Sequence, residues 1–466
     1  MSYKTNLFFV LALVLVCATL DAKEKKPERP SVIHDAVGLP AWLKFSVEHR
    51  TRYEGMSNSF RANTRGGDQV FAFRTQVFAE ASYEQFRAGA EFIDSRIDGP
   101  TSNTPVNNLL VNEVALLQGY LGWQSKDFLA SGLGAEVKFG RQTMDLGNRR
   151  LVARNAYRNT FNNFDGINLI LSKGDDWDWQ NFVVLPVNRL PSDPQSILDG
   201  VIQADHENFD TIFAGSYFTI QKLPFDSIGE VYFFQLSEDD SFKILTANRN
   251  LSTPGIRWYR KPKVKEFDFE LESALQTGTS RTTTPASNRS TVDHFAYFGH
   301  VSAGYSFDFA WSPRLILQYD YASGDENPND GKNGRFDTLF GARRFEFGPT
   351  SLWGAFARSN LNTPGIRLQF KPRDDLKGMM NYRAFWLAEK RDTWIGGNLT
   401  DKTGRSGSFI GQQLETQVIW EAIPKLVTLD TGWVHLFKGQ FAKFAPGAPT
   451  DKGDVDYFYV QTILAF

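Results

Sequence analysis

The chain has 466 residues and a formal net charge of −2, with 22% charged and 14% aromatic residues. A charge balance this close to zero excludes a strongly basic nucleic-acid-binding protein. The mean hydropathy is −0.35, and no apolar stretch after residue 20 approaches the roughly 20 residues of a membrane-spanning helix. Membrane-spanning β-strands alternate apolar and polar side chains, so a mean hydropathy does not reveal their apolar face. Abundant aromatic residues are typical of the belts that such strands form at the two membrane interfaces.

The first 22 residues have the pattern of a secretory signal peptide. Lys4 precedes an apolar run from Leu7 to Ala18, and small residues at Ala18 and Ala22 offer two cleavage sites, after residue 18 or after residue 22. The only cysteine, Cys17, lies inside this segment. The mature chain is therefore expected to lack disulfides, cysteine metal sites and thiol nucleophiles. Residues 23–41 are predicted to form a periplasmic N-terminal segment.

Residues 42–466 are predicted to form one all-β domain, a transmembrane antiparallel β-barrel. In the segment 265–276, Phe267 and Leu271 fall on one face and Asp268 and Glu270 on the other, an alternation with period two. Such a face pattern fits lipid outside and an aqueous lumen inside. The predicted strands number eighteen: 42–54, 69–83, 86–97, 109–123, 133–142, 164–172, 177–187, 211–221, 226–236, 254–261, 264–276, 293–309, 313–323, 363–372, 375–388, 407–421, 426–438 and 455–466.

The predicted connections alternate between short turns and long loops, as in outer-membrane barrels with short periplasmic turns and long extracellular loops. An even strand number places both ends of the barrel in the periplasm. Barrels of this size leave an aqueous channel.

The segment from Gly140 to Gly166 carries five arginines: Arg141, Arg149, Arg150, Arg154 and Arg158. Three of them, Arg150, Arg154 and Arg158, are four residues apart, so a short helix would put them on one face. Planar guanidinium groups bind carboxylates in a bidentate manner. The alternative is a solvated extracellular loop that contacts lipopolysaccharide phosphates.

Two further segments support lumen arginines. Ser252 to Pro262 and Asn362 to Pro372 share Thr-Pro-Gly-Ile-Arg and Lys-Pro at the same offsets, and strand alternation places Arg257 and Arg367 on the lumen face. We interpret the similarity as a shared turn solution and not as a repeat architecture.

The longest predicted loop, 323–361, combines Arg343 and Arg344 with several aromatic residues. This composition predicts a loop that folds inward as a constriction or lid, with an outer-surface cap as the alternative. The chain ends on a strand-like segment, 455–466, with an aromatic residue, Phe466, as its last residue. This ending resembles the assembly signal of outer-membrane barrels, and we expect the last strand to pair with the first.

Five segments together resemble the alginate export family of outer-membrane porins, and the likeness covers nearly all of the predicted mature chain. They are the arginine segment 140–166, Tyr319 to Asp325, Gly334 to Phe340, Gly411 to Glu415, and Gly432 to Gly439. The resemblance implies an eighteen-stranded barrel with a narrowed, arginine-rich lumen that passes an anionic polysaccharide outward. The predicted turn 422–425 is shorter than the periplasmic plug expected in a gated polymer exporter, which keeps a small-anion channel open as an alternative.

Carried over by position, the resemblance implies pore-lining (substrate-binding) cations at Arg74, Arg141, Arg149, Arg150, Arg154, Arg367 and Arg383. For Arg74 and Arg383 the assignment rests on strand alternation, which puts their neighbours Phe73 and Tyr382 toward lipid. Acidic residues would hold these guanidinium groups in place: Glu48, Glu80, Glu91, Asp145, Asp165 and Glu270. Such a lumen would bind a polyanion weakly at several sites, enough to admit it and still release it.

The sequence therefore predicts a passive, anion-selective channel for an alginate-like polyuronate in the bacterial outer membrane. The alternative is a diffusion or uptake porin for small organic anions, sugars or oligosaccharides; a purely structural barrel is a distant third. No enzyme activity is expected, because the chain has no recognisable nucleophile motif, and no catalytic residue, metal site or cofactor is predicted. The expected partners are outer-membrane lipid and lipopolysaccharide, the anionic polysaccharide or small anionic solute, and periplasmic export components, but no nucleic acid.

Overall fold

The computed structural model describes residues 37–240, 246–281 and 290–466. The predicted signal peptide and residues 23–36 of the predicted N-terminal segment lie outside the described residues. Within these ranges, no helix is both long and apolar enough to cross a membrane.

Eighteen strands form the wall of a barrel, and each corresponds to a predicted strand with ends that differ by a few residues. Their bounds are β1 Leu43–Met56, β2 Asp68–Tyr83, β3 Phe86–Asp98, β4 Asn112–Ser125, β5 Gly134–Gln142, β6 Phe164–Lys173, β7 Trp177–Pro186, β8 Thr211–Leu223, β9 Ser227–Glu238, β10 Asn250–Arg260, β11 Phe267–Ser280, β12 Val292–Ser306, β13 Arg314–Ala322, β14 Leu361–Arg373, β15 Leu376–Trp386, β16 Phe409–Ile423, β17 Val427–Lys438 and β18 Val455–Ala465.

The sheet closes on itself. Every strand pairs antiparallel with the next, and β18 pairs with β1 from Glu48 opposite Ala465 to Met56 opposite Tyr457. Closure removes the unpaired strand edges that lipid would not tolerate. The predicted pairing of the last strand with the first is confirmed.

Minor elements lie in the connections between wall strands. Within the described ranges they are three short helices, α1 Pro194–Leu198, α2 Arg344–Phe347 and α3 Gln440–Phe444, a 3₁₀ turn Phe128–Ala130, and three two-residue strands, Lys332–Asn333, Thr393–Trp394 and Leu399–Thr400.

Short turns gather at one end of the barrel and long loops at the other. The connections at the first end are 84–85, 126–133, 174–176, 224–226, 261–266, 307–313, 374–375 and 424–426. The longest connections at the opposite end are 143–163, 187–210, 323–360 and 387–408. The chain enters β1 and leaves β18 at the end with the short turns, as the even strand number predicts.

Side chains alternate between the two faces of the wall. On β12, the outward Phe295 and Tyr297 are 60% and 41% exposed, whereas the inward Ala296, Phe298 and His300 are buried. The alternation fails in β4, where Glu91 is opposite Gln118 but Phe92 is opposite Leu116. Leu117 is thus an extra residue, a β-bulge. The bulge explains why Glu113 and Gln118 disagree with a single alternating pattern in the sequence.

The packed interior lies inside the barrel near the end with the long loops. Phe347, Leu352 and Trp353 of the 323–360 loop are buried against inward residues of β17 and β18, including Leu436 and Tyr457. Leu146 and Val152 of the 143–163 segment belong to a second buried cluster of the same kind. The prediction that the longest loop folds inward is confirmed, and the outer-cap alternative is wrong.

Candidate functional site: a constriction built by two inner loops

Two loops enter the lumen and pair with each other. We call residues 143–163 inner loop 1 and residues 323–360 inner loop 2. The amide of Phe340 donates to the carbonyl of Leu151 at 3.0 Å, and the amides of Ala153 and Ala342 donate to the carbonyls of Phe340 and Arg149 at 3.2 and 2.8 Å. The two loops therefore form one unit within the barrel.

Arg150 ties this unit to the wall. Its guanidinium contacts Glu270 at 2.5 Å and also Glu272, both on β11, and Glu346 of inner loop 2 at 3.0 Å. The Arg150 side chain is only 1% exposed. Arg358 of inner loop 2 adds to this network, because it pairs with Glu346 at 2.9 Å and donates to the carbonyl of Arg150 at 3.0 Å. Arg150 thus lies in the lumen, but three carboxylates balance its charge.

Inner loop 1 is held on its other side by arginines of β1 and β2. Arg50 and Arg74 donate to the carbonyls of Tyr157 and Ala156 at 3.0 and 2.8 Å. Arg74 also pairs with Glu48 at 3.0 Å. These wall arginines fix the loop backbone by charge-assisted hydrogen bonds.

Arg154 points from inner loop 1 to the wall. It pairs with Glu91 at 2.7 Å and donates to Gln76 at 2.8 Å. Its guanidinium lies 4.3 Å from the ring centre of Phe161, and that of Arg74 lies 4.5 Å from the same ring. Two of the predicted acids therefore pair with predicted arginines: Glu48 with Arg74 and Glu91 with Arg154.

On β14 and β15, two predicted arginines meet inner loop 2. Arg383 pairs with Asp320 and donates to the carbonyl of Glu346 at 3.2 Å, and it is fully buried. Arg367 donates to the carbonyl of Phe345 at 2.5 Å. Both lie on the lumen face, as strand alternation predicts.

Arg141 and Asp165 lie elsewhere. The Arg141 guanidinium donates two hydrogen bonds to the Asp165 carboxylate, at 2.9 and 2.8 Å, which is the predicted pair. Arg141 also pairs with Glu207 of the 187–210 loop at 2.9 Å. Arg141 and Asp165 share the outward face with Phe139 and Ile167, which are 64% and 46% exposed. The structure thus corrects the expectation that Arg141 lines the lumen, because the period of two places it beside Phe139.

Two other predicted acids have different partners from those expected. Glu80 pairs with Lys44 at 2.9 Å and accepts from Tyr120 at 2.6 Å, so it holds a lysine and not an arginine. Asp145 is exposed and accepts from the backbone amide of Arg154 at 2.8 Å. Glu270, in contrast, contacts both Arg150 and Arg257.

The arginine segment does not form the short helix that would have put Arg150, Arg154 and Arg158 on one face. Arg149 and Asn155 have φ angles of 61° and 62°, in the left-handed region that an α-helix of L-residues does not use. The spacing of four between Arg150, Arg154 and Arg158 therefore does not put them on one face, and they reach three different surroundings.

Three half-buried arginines near the junction of the loops have no carboxylate partner among the described residues: Arg149, Arg158 and Arg343. We call them the open arginines. The guanidinium of Arg149 stacks 3.8 Å from the ring centre of Phe345. Arg158 donates to the neutral side chain of Asn162 at 2.5 Å. Chemically, this group offers positive charge and an aromatic face to an anion in the lumen.

The positive charges of Arg158 and Arg343 are costly in the folded chain when no anion is bound. Burial, together with the nearby Arg189 and Arg343, lowers the pKa of Arg158 well below its ordinary value. Burial lowers the pKa of Arg343 to about 10. A carboxylate arriving in the lumen would supply the missing negative charge.

Sequence reasoning singled out Arg149 but missed Arg50, and it gave Arg158 and Arg343 no pore-lining role. Arg50 had a readable signal, because it alternates with the outward His49 and Thr51 on β1. Arg158 and Arg343 were visible as cations of the arginine segment and of the longest loop, but their place at the junction depends on loop contacts between distant parts of the chain.

Comparisons with known proteins agree with this architecture. A family model described as alginate export matches residues 41–455. Solved structures with a similar fold include Pseudomonas aeruginosa OpdK with vanillate, at 10% identity and a TM-score of 0.58, covering 91% of this chain and 98% of that chain. Another is P. aeruginosa OccD3 (OpdP), at 11% identity and a TM-score of 0.54, covering 96% and 95%. No curated protein sequence matches the chain.

The structural likeness at such low identity concerns the fold, whereas the family model spans nearly the whole barrel. The end with the short turns is accordingly the periplasmic end. The chain belongs to the alginate export family and forms a channel in the bacterial outer membrane.

Proposed function

We propose that the channel passively passes an anionic polysaccharide, an alginate-like polyuronate, outward through the arginine-lined constriction. The observation that carries the proposal is the presence of the open arginines, Arg149, Arg158 and Arg343, at the junction of the two inner loops. Family membership supports the substrate class.

The physical argument depends on which cations are free to bind. Arg150, Arg154 and Arg383 are balanced by carboxylates and hold the loops. The open arginines have no such partner in the part of the chain that the structure describes, so a passing carboxylate gains charge-assisted hydrogen bonds there. Because they are few and half-buried, binding stays weak enough for release. The ring of Phe345 beside Arg149 adds a flat apolar surface for a sugar ring.

The test is block of ion current by a mannuronate oligomer in single-channel recordings. The wild-type channel should be blocked at submillimolar concentration, and the variant Arg149→Gln/Arg158→Gln/Arg343→Gln should need about 100-fold more oligomer, since each 1.4 kcal/mol lost is a factor of ten. Arg405→Gln, at an exposed arginine of the 387–408 loop, is the matched control and should behave as wild type. Absence of block in the wild type would overturn the proposal.

A second candidate is a porin for small organic anions. Its support is the short turn 424–426, which leaves no periplasmic plug at that position, and the solved structure of similar fold described with vanillate, a small aromatic carboxylate. Anion-selective conductance that responds to benzoate and not to the mannuronate oligomer would favour this candidate.

A further inference from the structure

A second cationic region lies at the opposite end of the lumen from the long loops. It is a cavity of about 600 Å³ that we call the periplasmic vestibule, and its wall comes from the last inward residues of β12 to β16 and from the turns 261–266 and 307–313. On β14, Lys371 in its lining is four residues beyond Arg367, about 13 Å along the strand. Arg367 in turn contacts Phe345, whose ring stacks on Arg149, and none of the open arginines lines the vestibule. The vestibule is therefore a site separate from them.

The lining carries four cations and no acid: Lys263, Arg314, Lys371 and Lys377. Arg314 is fixed, because it forms a two-bond contact with the buried Asp268. The three lysines are about half exposed, and their partners lie on the rim outside the lining, with Lys371 paired to the fully exposed Asp374 and Lys377 at 3.8 Å from Glu421. Exposed ion pairs of this kind contribute little to stability, so the ammonium groups can turn to a ligand at little cost.

The remaining lining combines amides with apolar side chains. Gln369 and Gln417 provide hydrogen-bonding groups, and Phe307, Met379 and Ile419 provide apolar surface. A ligand that matches all three features carries carboxylates, hydroxyls and apolar ring faces, which is the chemistry of an acidic sugar. A phosphate or chloride ion would use only the lysines.

We propose that the periplasmic vestibule binds the leading end of the acidic polysaccharide as it enters the channel, with Lys263, Lys371 and Lys377 contacting its carboxylates. This inference rests on the proposed function and adds the entry site to it. Lysine suits that role, because a mobile point charge accepts a carboxylate in many orientations, whereas the planar guanidinium groups further along demand a defined one. The polysaccharide would thus first meet a site that accepts its carboxylates in many orientations, and then a site that requires a defined orientation.

The experiment compares block from the two sides of the membrane. Full-length channel is inserted in a planar bilayer, and a mannuronate hexamer is added to one side at a time. A single cysteine, Thr450→Cys in the 439–454 loop, reports the orientation through a thiol reagent, because the only natural cysteine is Cys17. The test variant is Lys263→Gln/Lys371→Gln/Lys377→Gln. The matched control is Lys126→Gln/Lys173→Gln/Lys222→Gln, three exposed lysines at the same end that do not line the vestibule.

The test variant should show an association rate about tenfold lower for hexamer added from the periplasmic side, with block from the extracellular side and the control unchanged. An unchanged periplasmic rate, or an equal loss from both sides, would overturn the vestibule site while leaving the proposed function intact. A wild-type channel that the hexamer does not block from either side would overturn the proposed function itself, and the entry site with it.

Discussion

Replacing Arg150 with alanine is expected to raise the single-channel conductance several-fold. The substitution leaves Glu272 without the guanidinium that joins it to inner loop 1 and removes one of the two cations that hold Glu346. Removing one partner of a buried ion pair costs about 3 to 5 kcal/mol, because the remaining charge is uncompensated. This is enough to release the two inner loops from β11 while the strand pairing of the barrel persists. Conductance in planar bilayers measures the result.

A variant that changes no charge should give the same result by another route. A Cβ atom at Gly341 would lie 1.8 Å from the carbonyl oxygen of Arg150, so Gly341→Ala must push the inner loops apart. Gly299→Ala on β12, where a Cβ would meet nothing within 4 Å, is the control and should conduct as wild type. If Arg150→Ala and Gly341→Ala both conducted as wild type, the inner loops could not be what limits the pore.

The wall of the barrel was predictable because its signals are local. Alternation with period two is visible within a few residues, as at Phe267 and Asp268. The length of each turn is then the number of residues between two successive strand-like segments. The sequence pattern therefore predicted all eighteen strands and the pairing of β18 with β1. The bulge at Leu117 was not predictable in the same way, because a bulge depends on the partner strand.

The constriction was only partly predictable, because its contacts join residues far apart in the sequence. Arg74 and Arg383, which strand alternation predicts to face the lumen, contact inner loop 1 and inner loop 2 respectively. Within the arginine segment, however, positive φ angles at Arg149 and Asn155 replace the expected helix, and the pairing of Arg150 with Glu346 depends on how inner loop 2 folds. Whether an arginine holds the structure or remains open to a ligand is decided by such contacts.

This distinction changes which arginines should control ion selectivity. Arg150 and Arg154 are prominent in the sequence, but carboxylates balance them. Their replacement would alter pore shape together with charge. The open arginines are the better test of electrostatics, because no described ion pair depends on Arg149 or Arg343.

Replacing Arg149 and Arg343 with glutamate is expected to convert an anion preference into a cation preference. Each substitution exchanges a positive for a negative charge within reach of ions that pass the constriction. A unit charge about 10 Å from an ion in water contributes about 0.4 kcal/mol, and screening at 0.1 M salt reduces this to roughly a third. The two reversals change the charge by four units, and they disfavour anions while they favour cations by the same amount. The anion-to-cation permeability ratio should therefore change by about tenfold. The reversal potential under a KCl gradient measures that ratio.

Arg141 provides the matched comparison, because it belongs to the same segment of the chain but lies on the outward face beside Phe139. Arg141→Gln should leave the reversal potential unchanged, whereas Arg149→Gln should move it toward zero. A shift with Arg141→Gln equal to that with Arg149→Gln would contradict the assignment of these two arginines to opposite sides of the wall. Selectivity would then follow the total charge of the extracellular rim and not the charge of the open arginines.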